Sequence, residues 1–251
     1  MSPSVRTERD GGTLVITLDR PHARNALDGA AAHALTAALD ELDADAELVV
    51  GILTGAGGTF SSGMDLKAWL AGDRPEIKGR GLGGLTLTPP ATPLIAAVEG
   101  YALAGGFEMV LACDLVVAAE DAVFGLPEVT RGLMAGSGGL LRLPSRLPAG
   151  VAMEHALTGA PITAVDAHRW GLVNRLTPPG EALDGALALA RQIAANGPLA
   201  VRATKALVSR GVDAAAWRLQ DVLLGGLLAS ADAREGAAAF VEKRPPVWTG
   251  Q

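Results

Sequence analysis

Two short apolar runs flank a helical segment near the middle of the chain, and this arrangement constrains the fold most. Residues 93–100 (PLIAAVEG) and 114–120 (DLVVAAE) read as strands, with residues 105–112 as a helix between them. Continuous apolar runs of this length are typical of strands buried on both faces, and strands joined through a helix pair in parallel. The pattern predicts an α/β fold, with further strands at 13–19 and 47–55 and a helix over 25–43.

The last third of the sequence predicts helices and almost no strand. We expect a core over residues 1–196 that carries the functional site, and a helical region over 197–251 that covers the core or builds an oligomer. Pro198 is well placed in the first turn of a helix. The segment 72–92 is rich in glycine and proline, which predicts a mobile loop or lid.

Charge and composition exclude several functional classes. The net charge is −6 and aromatic residues make up only 4%, so a nucleic-acid-binding surface is not expected. Cys113 is the only cysteine, which rules out an internal disulfide and a cysteine-based metal site, and no histidine pair has metal-ligand spacing. The polar N-terminal segment lacks a signal core and no apolar run is long enough to span a bilayer. We expect a cytoplasmic protein without a metal, a nucleic-acid partner or a membrane partner.

Glycine-rich turns next to apolar segments raise the question of nucleotide binding. A phosphate-binding loop needs a Gly-Lys-Ser/Thr ending, which is absent, and residues 54–66 (TGAGGTFSSGMDL) lack the spacing of a dinucleotide fingerprint. The first N–H groups of a helix have no intrahelical partner, and two such groups from two turns can form an oxyanion hole. The candidate donors are the N–H groups of Gly105 and Met64; the alternative for each cluster is an ordinary tight turn.

Two glutamates follow these turns. Glu108 lies one helical turn after Gly105, and Glu128 comes twenty residues later in FGLPEVTRG. Two neighbouring carboxylates push their pKa values apart, so that one can accept a proton while the other donates one. This chemistry suits the addition or removal of water. Alternatively, Glu108 complements the helix dipole and Glu128 is a surface acid, and the residues alone favour neither interpretation.

The sequence resembles the crotonase superfamily of enoyl-CoA hydratases and isomerases. The matching segments cover nearly the whole chain in order: DRPHARNAL (19–27), GTFSSGMDLKA (58–68), residues 93–129, residues 157–176 and AFVEKRPPVW (239–248). LLRLPSRLPAGVAME and EKRPPVWTG are most similar to carnitinyl-CoA dehydratase-like members. The resemblance implies an α/β crotonase (ClpP-like) spiral of ββα units with a C-terminal helical trimerisation region, and a homotrimer or a hexamer made of two trimers.

The resemblance also implies an acyl-CoA thioester as the substrate, with no other cofactor. By motif, the N–H groups of Met64 and Gly105 hold the thioester carbonyl, and Glu108 and Glu128 are the two catalytic acids. Many members have alanine in place of Met64, but the backbone donor should survive the larger side chain. The positions that correspond to CoA-binding residues are Arg24, Ala26, Ser62, Asp65, Leu66, Lys67, Phe240 and Lys243.

Three functions remain open on this basis. Family members that isomerise or hydrolyse often lack one of the two acids, so retention of both favours hydration of a 2-enoyl-CoA to a 3-hydroxyacyl-CoA. The alternatives are an enoyl-CoA isomerase or another crotonase-type acyl-CoA lyase, and an acyl-CoA binder without catalytic activity. The sequence does not identify the acyl group.

Overall fold

The computed structural model describes residues 3–209 and 214–251, without the side chains of residues 214–221, 240 and 241. The strands are β1 (Val5–Asp10), β2 (Thr13–Leu18), β3 (Val50–Gly55), β4 (Glu76–Ile77), β5 (Gly81–Leu82), β6 (Leu94–Val98), β7 (Tyr101–Leu103), β8 (Leu115–Ala119), β9 (Val123–Gly125), β10 (Ile162–Thr163) and β11 (Arg175–Thr177). The α-helices are α1 (Gly29–Ala44), α2 (Leu66–Leu70), α3 (Gly105–Ala112), α4 (Gly139–Arg146), α5 (Ala149–Thr158), α6 (Ala164–Arg169), α7 (Ala182–Ala194), α8 (Pro198–Val208), α9 (Ala214–Ala229) and α10 (Ala231–Glu242).

A six-stranded sheet forms the centre of the fold, in the order β1-β2-β3-β6-β8-β11. All its pairs are parallel except β1 with β2, so the predicted parallel sheet is confirmed. Side chains alternate between its two faces. Leu53 packs into the main core with α1, whereas the neighbouring Ile52 packs into a second core with Ala186 and Ala190 of α7.

A smaller sheet, in the order β10-β9-β7, positions the functional segments. Strands β7 and β9 are parallel, with Leu103 opposite Gly125. Strand β7 leads into α3, which carries Glu108, and β9 leads into the 3₁₀ turn Pro127–Arg131, which carries Glu128. Because both strands end at the same edge of the sheet, the two glutamate-bearing segments leave it side by side.

The predicted elements differ from the structure at several boundaries. The helix predicted from residue 25 begins at Gly29, because the Oδ1 atom of Asp28 accepts the N–H of Ala31 at 2.8 Å and caps it there. The polar N-terminal segment contains β1, an edge strand whose side chains are mostly exposed. The sequence did not predict this strand, because an edge strand with one solvated face needs few apolar residues and shows no hydrophobic run.

The prediction of an irregular mobile loop over 72–92 is wrong for its central part. Strands β4 and β5 form an antiparallel hairpin, and Leu82 and Leu85 enter the main hydrophobic core. The Arg80 guanidinium contacts the Asp40 carboxylate of α1 at 2.5 Å. Glycine at 81, 83 and 84 adopts positive φ, so the glycines mark tight turns of a packed segment and not a flexible lid.

The described elements after residue 180 are all helices, as predicted, and Pro198 occupies the first turn of α8. The division into a core over 1–196 and a helical region over 197–251 falls between α7 and α8 and stays a prediction. No helix in the described part of the chain is long and apolar enough to cross a membrane.

Candidate active site

The backbone nitrogens of Met64 and Gly105 lie side by side. A β-carbon built on Gly105 would lie 3.6 Å from the Met64 nitrogen, and one built on Gly63 would lie 2.7 Å from the Gly105 nitrogen. Neither N–H donates a backbone hydrogen bond within residues 3–209 and 214–251. The structure thus brings together two free donors, one at the start of α3, where the helix dipole is positive.

Glycine at the start of α3 allows two chain segments to approach each other closely. A β-carbon on Gly105 would collide with the Leu82 side chain of the hairpin, and one on Gly106 would collide with the Ser61 carbonyl oxygen. Ala104, just before α3, has φ 51° and ψ −128°, a backbone conformation that costs energy for a residue with a side chain. The sharp turn at Ala104 starts the helix at Gly105.

Hydrogen bonds fix the segment that carries the Met64 donor. The Ser61 hydroxyl donates to the Asn25 carbonyl oxygen at 2.9 Å and accepts the Gly63 N–H at 3.0 Å. The Asn25 amide in turn donates to the carbonyl oxygens of Ala56 and Thr59 at 2.8 and 2.6 Å. Ser61 and Asn25 are both buried, so a buried hydrogen-bond network holds the segment that carries the Met64 N–H.

Next to Met64, Arg20 forms ion pairs with the residues that cap the N-termini of two helices. Its Nη2 atom lies 2.8 Å from the Asp28 carboxylate and 3.1 Å from the Asp65 carboxylate, and its Nη1 atom donates to the Ala26 carbonyl oxygen. Asp28 caps α1 and Asp65 caps α2. The Arg20 side chain is only 15% exposed, so this ion cluster is largely shielded from water.

Glu108 is buried and held at the start of α4. Its Oε1 atom accepts the N–H groups of Ser137 at 2.7 Å and Gly139 at 2.9 Å. Burial raises the pKa of Glu108, while the Gly139 and Ser137 N–H groups and the positive charge of Arg142 lower it without cancelling the effect of burial. The geometry therefore orients the carboxyl group through one oxygen and leaves the other oxygen available.

Glu128 has a different environment. Its Oε2 atom is buried and has no hydrogen-bond partner among the described residues. Burial raises the pKa of Glu128, and the nearby charge of Glu108 raises it further against the opposing effects of its own N–H and Arg131. Of the two acids, Glu108 has the N–H donors that stabilise a carboxylate, and Glu128 has the surroundings that favour a protonated carboxyl.

Comparison with known proteins identifies the family of this chain. A sequence model of the enoyl-CoA hydratase/isomerase family matches residues 8–251. The chain belongs to this family. Enoyl-CoA hydratase EchA1 from Mycobacterium marinum is 57% identical, with 100% of both chains covered and a TM-score of 0.97. The fold is therefore that of the crotonase-type enzymes.

Two further members of the family carry a different name. Carnitinyl-CoA dehydratase from Salmonella arizonae is 44% identical over 261 aligned positions, covering 100% of both sequences. The crystal structure of carnitinyl-CoA hydratase from Mycobacterium avium is 45% identical and superposes with a TM-score of 0.81, with 100% of both chains covered. This chain is thus similar to both enoyl-CoA hydratases and carnitinyl-CoA-processing members of the family.

Six of the predicted CoA-binding positions lie in the two chain segments that pair next to Met64. Arg24 is exposed, and its carbonyl oxygen accepts the N–H of the half-buried Ser62 at 3.0 Å. Ala26 is buried, and Leu66 and Lys67 are exposed at the start of α2.

Asp65 has a structural role in this arrangement. Burial would raise its pKa, but the Ala68 N–H and the Arg20 guanidinium outweigh burial and lower it. Its carboxylate is therefore held by α2 and Arg20, and its predicted contact with CoA stays a prediction.

The two C-terminal candidates lie at the end of α10. The side chain of Phe240 lies outside the described residues. Lys243 is exposed and has φ 55° in the turn after the helix. Their proposed contact with CoA stays a prediction.

Sequence reasoning missed the residues that support the site. Leu82 contacts Gly105 from a segment that was predicted to be a loop, and the N–H groups at 137 and 139 hold Glu108 from a glycine-rich turn with no assigned role. The DRPHARNAL motif contains Arg20 and Asn25, but their roles depend on contacts with residues 56–65. Within the described residues, no three His, Cys, Asp or Glu side chains form a cluster that could hold a metal ion.

Proposed function

We propose that this protein is an enoyl-CoA hydratase that adds water reversibly to a 2-enoyl-CoA and gives a 3-hydroxyacyl-CoA. The observation that carries the proposal is the convergence of two free N–H donors with two buried glutamates, of which Glu108 accepts two backbone N–H groups and Glu128 has a buried oxygen without a partner among the described residues. Family membership and the names of the similar proteins support a reaction of this kind.

In the proposed reaction, the thioester oxygen accepts hydrogen bonds from the Met64 and Gly105 N–H groups. The Glu108 carboxylate removes a proton from water, and the water oxygen forms a bond to C3 while the π electrons move to the thioester oxygen. Glu128 then delivers its proton to C2, and the enolate electrons form the C2–H bond. The step leaves Glu108 protonated and Glu128 ionised, and elimination of water runs back from that state. Proton exchange with solvent restores the starting state for the next hydration, and no metal or redox cofactor takes part.

The two N–H donors act where charge develops. Removing one donor from a measured oxyanion hole costs about 2.7–4 kcal/mol, or 10²–10³ in kcat. General acid–base catalysis contributes about 10²–10⁴ for each positioned group. These effects together are large enough for catalysis at a useful rate, and neither requires a group that the chain lacks.

For CoA itself, we propose contacts from Arg24, Ala26, Ser62, Leu66 and Lys67, with Phe240 and Lys243 added from the C-terminal region. The exposed Arg24 and Lys67 side chains suit the phosphate groups. We also propose a trimer or a dimer of trimers, because α9 and its neighbours expose large apolar side chains such as Val222 (72%) and Leu228 (69%). Light scattering tests this assembly, and a fully active monomer would contradict it.

Dehydration of a carnitinyl-CoA substrate is the second candidate, because a relative 44% identical to this chain is named a carnitinyl-CoA dehydratase and a structure 45% identical is named a carnitinyl-CoA hydratase. It is the reverse of hydration and uses the same groups. Isomerisation needs only one acid to move a proton between carbons, so the presence of both glutamates favours hydration.

A spectroscopic assay with crotonyl-CoA separates hydration from isomerisation. Hydration removes the absorbance of the conjugated enoyl thioester, and Glu108→Gln should slow this loss by about 10²–10⁴ because it removes the base. An isomerase that acts on 3-enoyl-CoA would instead create the conjugated absorbance. Tight binding of acyl-CoA without conversion of any enoyl-CoA would overturn the proposed function.

A further inference from the structure

The turn that holds Glu108 has little support of its own. Residues 134–139 (MAGSGG) include three glycines, whose backbone loses the most conformational freedom on folding. Gly138, the residue before α4, has no side chain that could cap the helix, and Pro144 removes an N–H from the hydrogen bonds inside α4. Because the N–H groups of Ser137 and Gly139 orient Glu108, a contact from outside the turn is needed to keep these donors in place.

Arg142 of α4 supplies such a contact. Its side chain folds back over the turn, since a β-carbon built on Gly138 would collide with its Nη1 atom. Its Nη2 atom donates to the Thr86 carbonyl oxygen at 2.6 Å, and Thr86 is completely buried. One half-buried side chain thus fastens the turn to the hairpin segment, residues 76–87.

The hairpin segment connects this contact to one of the two oxyanion donors. The Thr86 hydroxyl accepts the Leu82 N–H at 2.9 Å, and the Leu82 side chain packs against Gly105. Leu82 and Thr86 are completely or almost completely buried. Buried contacts therefore lead from Arg142 to Gly105, and a shift of the start of α4 against the hairpin segment would move Glu108 relative to the Gly105 N–H.

The Arg142 guanidinium also lies beside the Glu108 carboxyl. The two side chains occupy the β-carbon directions of consecutive glycines: Arg142 that of Gly138, and Glu108 that of Gly139, whose built β-carbon would lie 2.8 Å from Glu108 Cγ and 3.1 Å from its Oε1 atom. No carboxylate among the described residues pairs with the Arg142 guanidinium, so its charge acts on Glu108 without being neutralised by an ion pair. This positive charge lowers the pKa of Glu108, which burial raises.

The other titratable groups on the elements around Glu108 do not have this effect. Arg146 of α4 donates to the Cys113 carbonyl oxygen at 3.3 Å, at the far end of α3. Glu128 carries a like charge, which raises the pKa of a neighbouring carboxyl. The remaining groups, on the 3₁₀ turn, β7 and the hairpin segment, are Arg131, Tyr101, Glu76, Lys78 and Arg80. Of the charged groups in the described part of the chain, Arg142 is the one that lowers the pKa of Glu108 through its charge.

We propose that Arg142 is a positioning residue for the proposed base: it holds the turn of Ser137 and Gly139 against the hairpin segment and places a positive charge beside the Glu108 carboxyl. The inference rests on the proposed function, because it gives Arg142 a role in the same reaction. Arg142 acts through Glu108 and takes no part in bond formation. A misplacement of about 1 Å can cost about 10²-fold in rate, so a loosened turn is enough to slow the reaction.

The experiment compares wild type, Arg142→Met, Arg142→Lys and Arg146→Met in the hydration of crotonyl-CoA across pH. Methionine keeps much of the length of arginine but removes its hydrogen bond and charge, whereas lysine keeps the charge. Arg146 is the matched control, because it is half-buried on the same helix and also donates to backbone carbonyl oxygens. Its variant removes an arginine from α4 without touching the turn or the hairpin segment.

Arg142→Met should lower kcat on the pH plateau by about 10–10²-fold and change KM less than about threefold. Glu108 must be ionised to act as a base, so the acidic limb of kcat/KM should also move to higher pH when the positive charge is removed. Arg142→Lys should keep the acidic limb of wild type and recover part of the lost kcat. Arg146→Met should match wild type in kcat and in the acidic limb, even if its Tm is lower.

Two results would overturn the inference. One is an Arg142→Met protein with the kcat and the acidic limb of wild type. The other is an equal change in Arg146→Met, because any loss of an arginine from α4 would then be sufficient. If Arg142→Met does not fold, Arg142→Gln replaces it, with the same expected movement of the acidic limb.

Direct titration of Glu108 separates this inference from the proposed function. Carbon-13 NMR follows the glutamate carboxyl carbons of the free protein, and the signal that is missing in Glu108→Gln identifies Glu108. If Glu108 titrates at higher pH in Arg142→Met than in wild type, but wild type hydrates no enoyl-CoA, the placement of the Arg142 charge stands and the proposed function fails. If wild type hydrates crotonyl-CoA, but Arg142→Met changes neither this titration nor kcat, the inference about Arg142 fails alone.

Discussion

Replacing Gly63 by alanine tests the proposed oxyanion hole at the point where the segments of Met64 and Gly105 meet. The new β-carbon would lie 2.7 Å from the Gly105 nitrogen, 3.1 Å from the Leu103 carbonyl oxygen and 3.2 Å from the Ala104 β-carbon. Real β-carbons do not approach other heavy atoms within 3.0 Å, so the segments must move apart by several tenths of an ångström. The methyl group would also cover the Gly105 N–H.

We expect two separable effects. Loss of one oxyanion donor should lower kcat by about 10²–10³, equivalent to about 2.7–4 kcal/mol of transition-state stabilisation. Gly63 also has φ +92°, and a residue with a β-carbon costs roughly 1–2 kcal/mol at such a positive φ. For a chain of this size, each kcal/mol lowers Tm by about 2–4 °C.

Gly171→Ala is the matched control for the strain. Gly171 has φ +88° and open space around its β-carbon position, so alanine there introduces similar strain without a contact. Steady-state kinetics with crotonyl-CoA and thermal unfolding should show a lower Tm in both variants but a lower kcat only in Gly63→Ala. A folded Gly63→Ala protein with the kcat of wild type, or an equal kcat loss in the control, would refute the reasoning.

Further predictions concern the donors, the acids and their support. Gly105→Pro removes an N–H donor and should lower kcat at least 10²-fold. Steady-state kinetics measures this loss, and circular dichroism checks that the variant is folded. Glu108→Gln and Glu128→Gln should each lower kcat by about 10²–10⁴, and near-normal turnover in either would contradict its catalytic role. The pKa of Glu128 is higher in the folded protein than in the unfolded chain. Ionisation of Glu128 therefore lowers the stability of the fold as the pH rises above the pKa that this residue has in the unfolded chain. Glu128→Gln should therefore have a higher Tm than wild type at pH 7, and the difference should shrink below about pH 4, which melting curves across pH can check. Arg20→Met should lower kcat more than it raises KM, with partial rescue by Arg20→Lys, because Arg20 positions the Met64 segment.

The sequence predicted the central sheet because its strands are marked by hydrophobicity alone. The runs assigned to β3, β6 and β8 are buried on both faces, so they contain few polar residues and end at glycine or a charged residue. Helix α3 was predicted with its observed bounds because Gly105 begins it and Asp114 follows it. The short strands β7 and β9 have only three residues each, too few to show a period.

The site itself depends on those short strands. Twenty residues separate Glu108 from Glu128, and no sequence spacing of that length determines a distance in space. The parallel pairing of Leu103 with Gly125 makes the two acids neighbours, and the bridge between Ser61 and Ala102 adds the segment of Met64 to the same edge. The resemblance to a known family predicted this convergence, whereas composition and periodicity left it open.

The contacts give a reason for glycine at the site that the sequence did not show. The sequence predicted Gly105 only as an N–H donor. In the structure, a side chain there would first meet Leu82, and one at Gly63 would meet the Gly105 nitrogen itself. The glycines therefore let protein segments approach one another, and that approach aligns the two N–H donors before any substrate arrives. A preorganised pair of this kind needs no rearrangement when charge develops on the thioester oxygen, which is where its contribution to catalysis would arise.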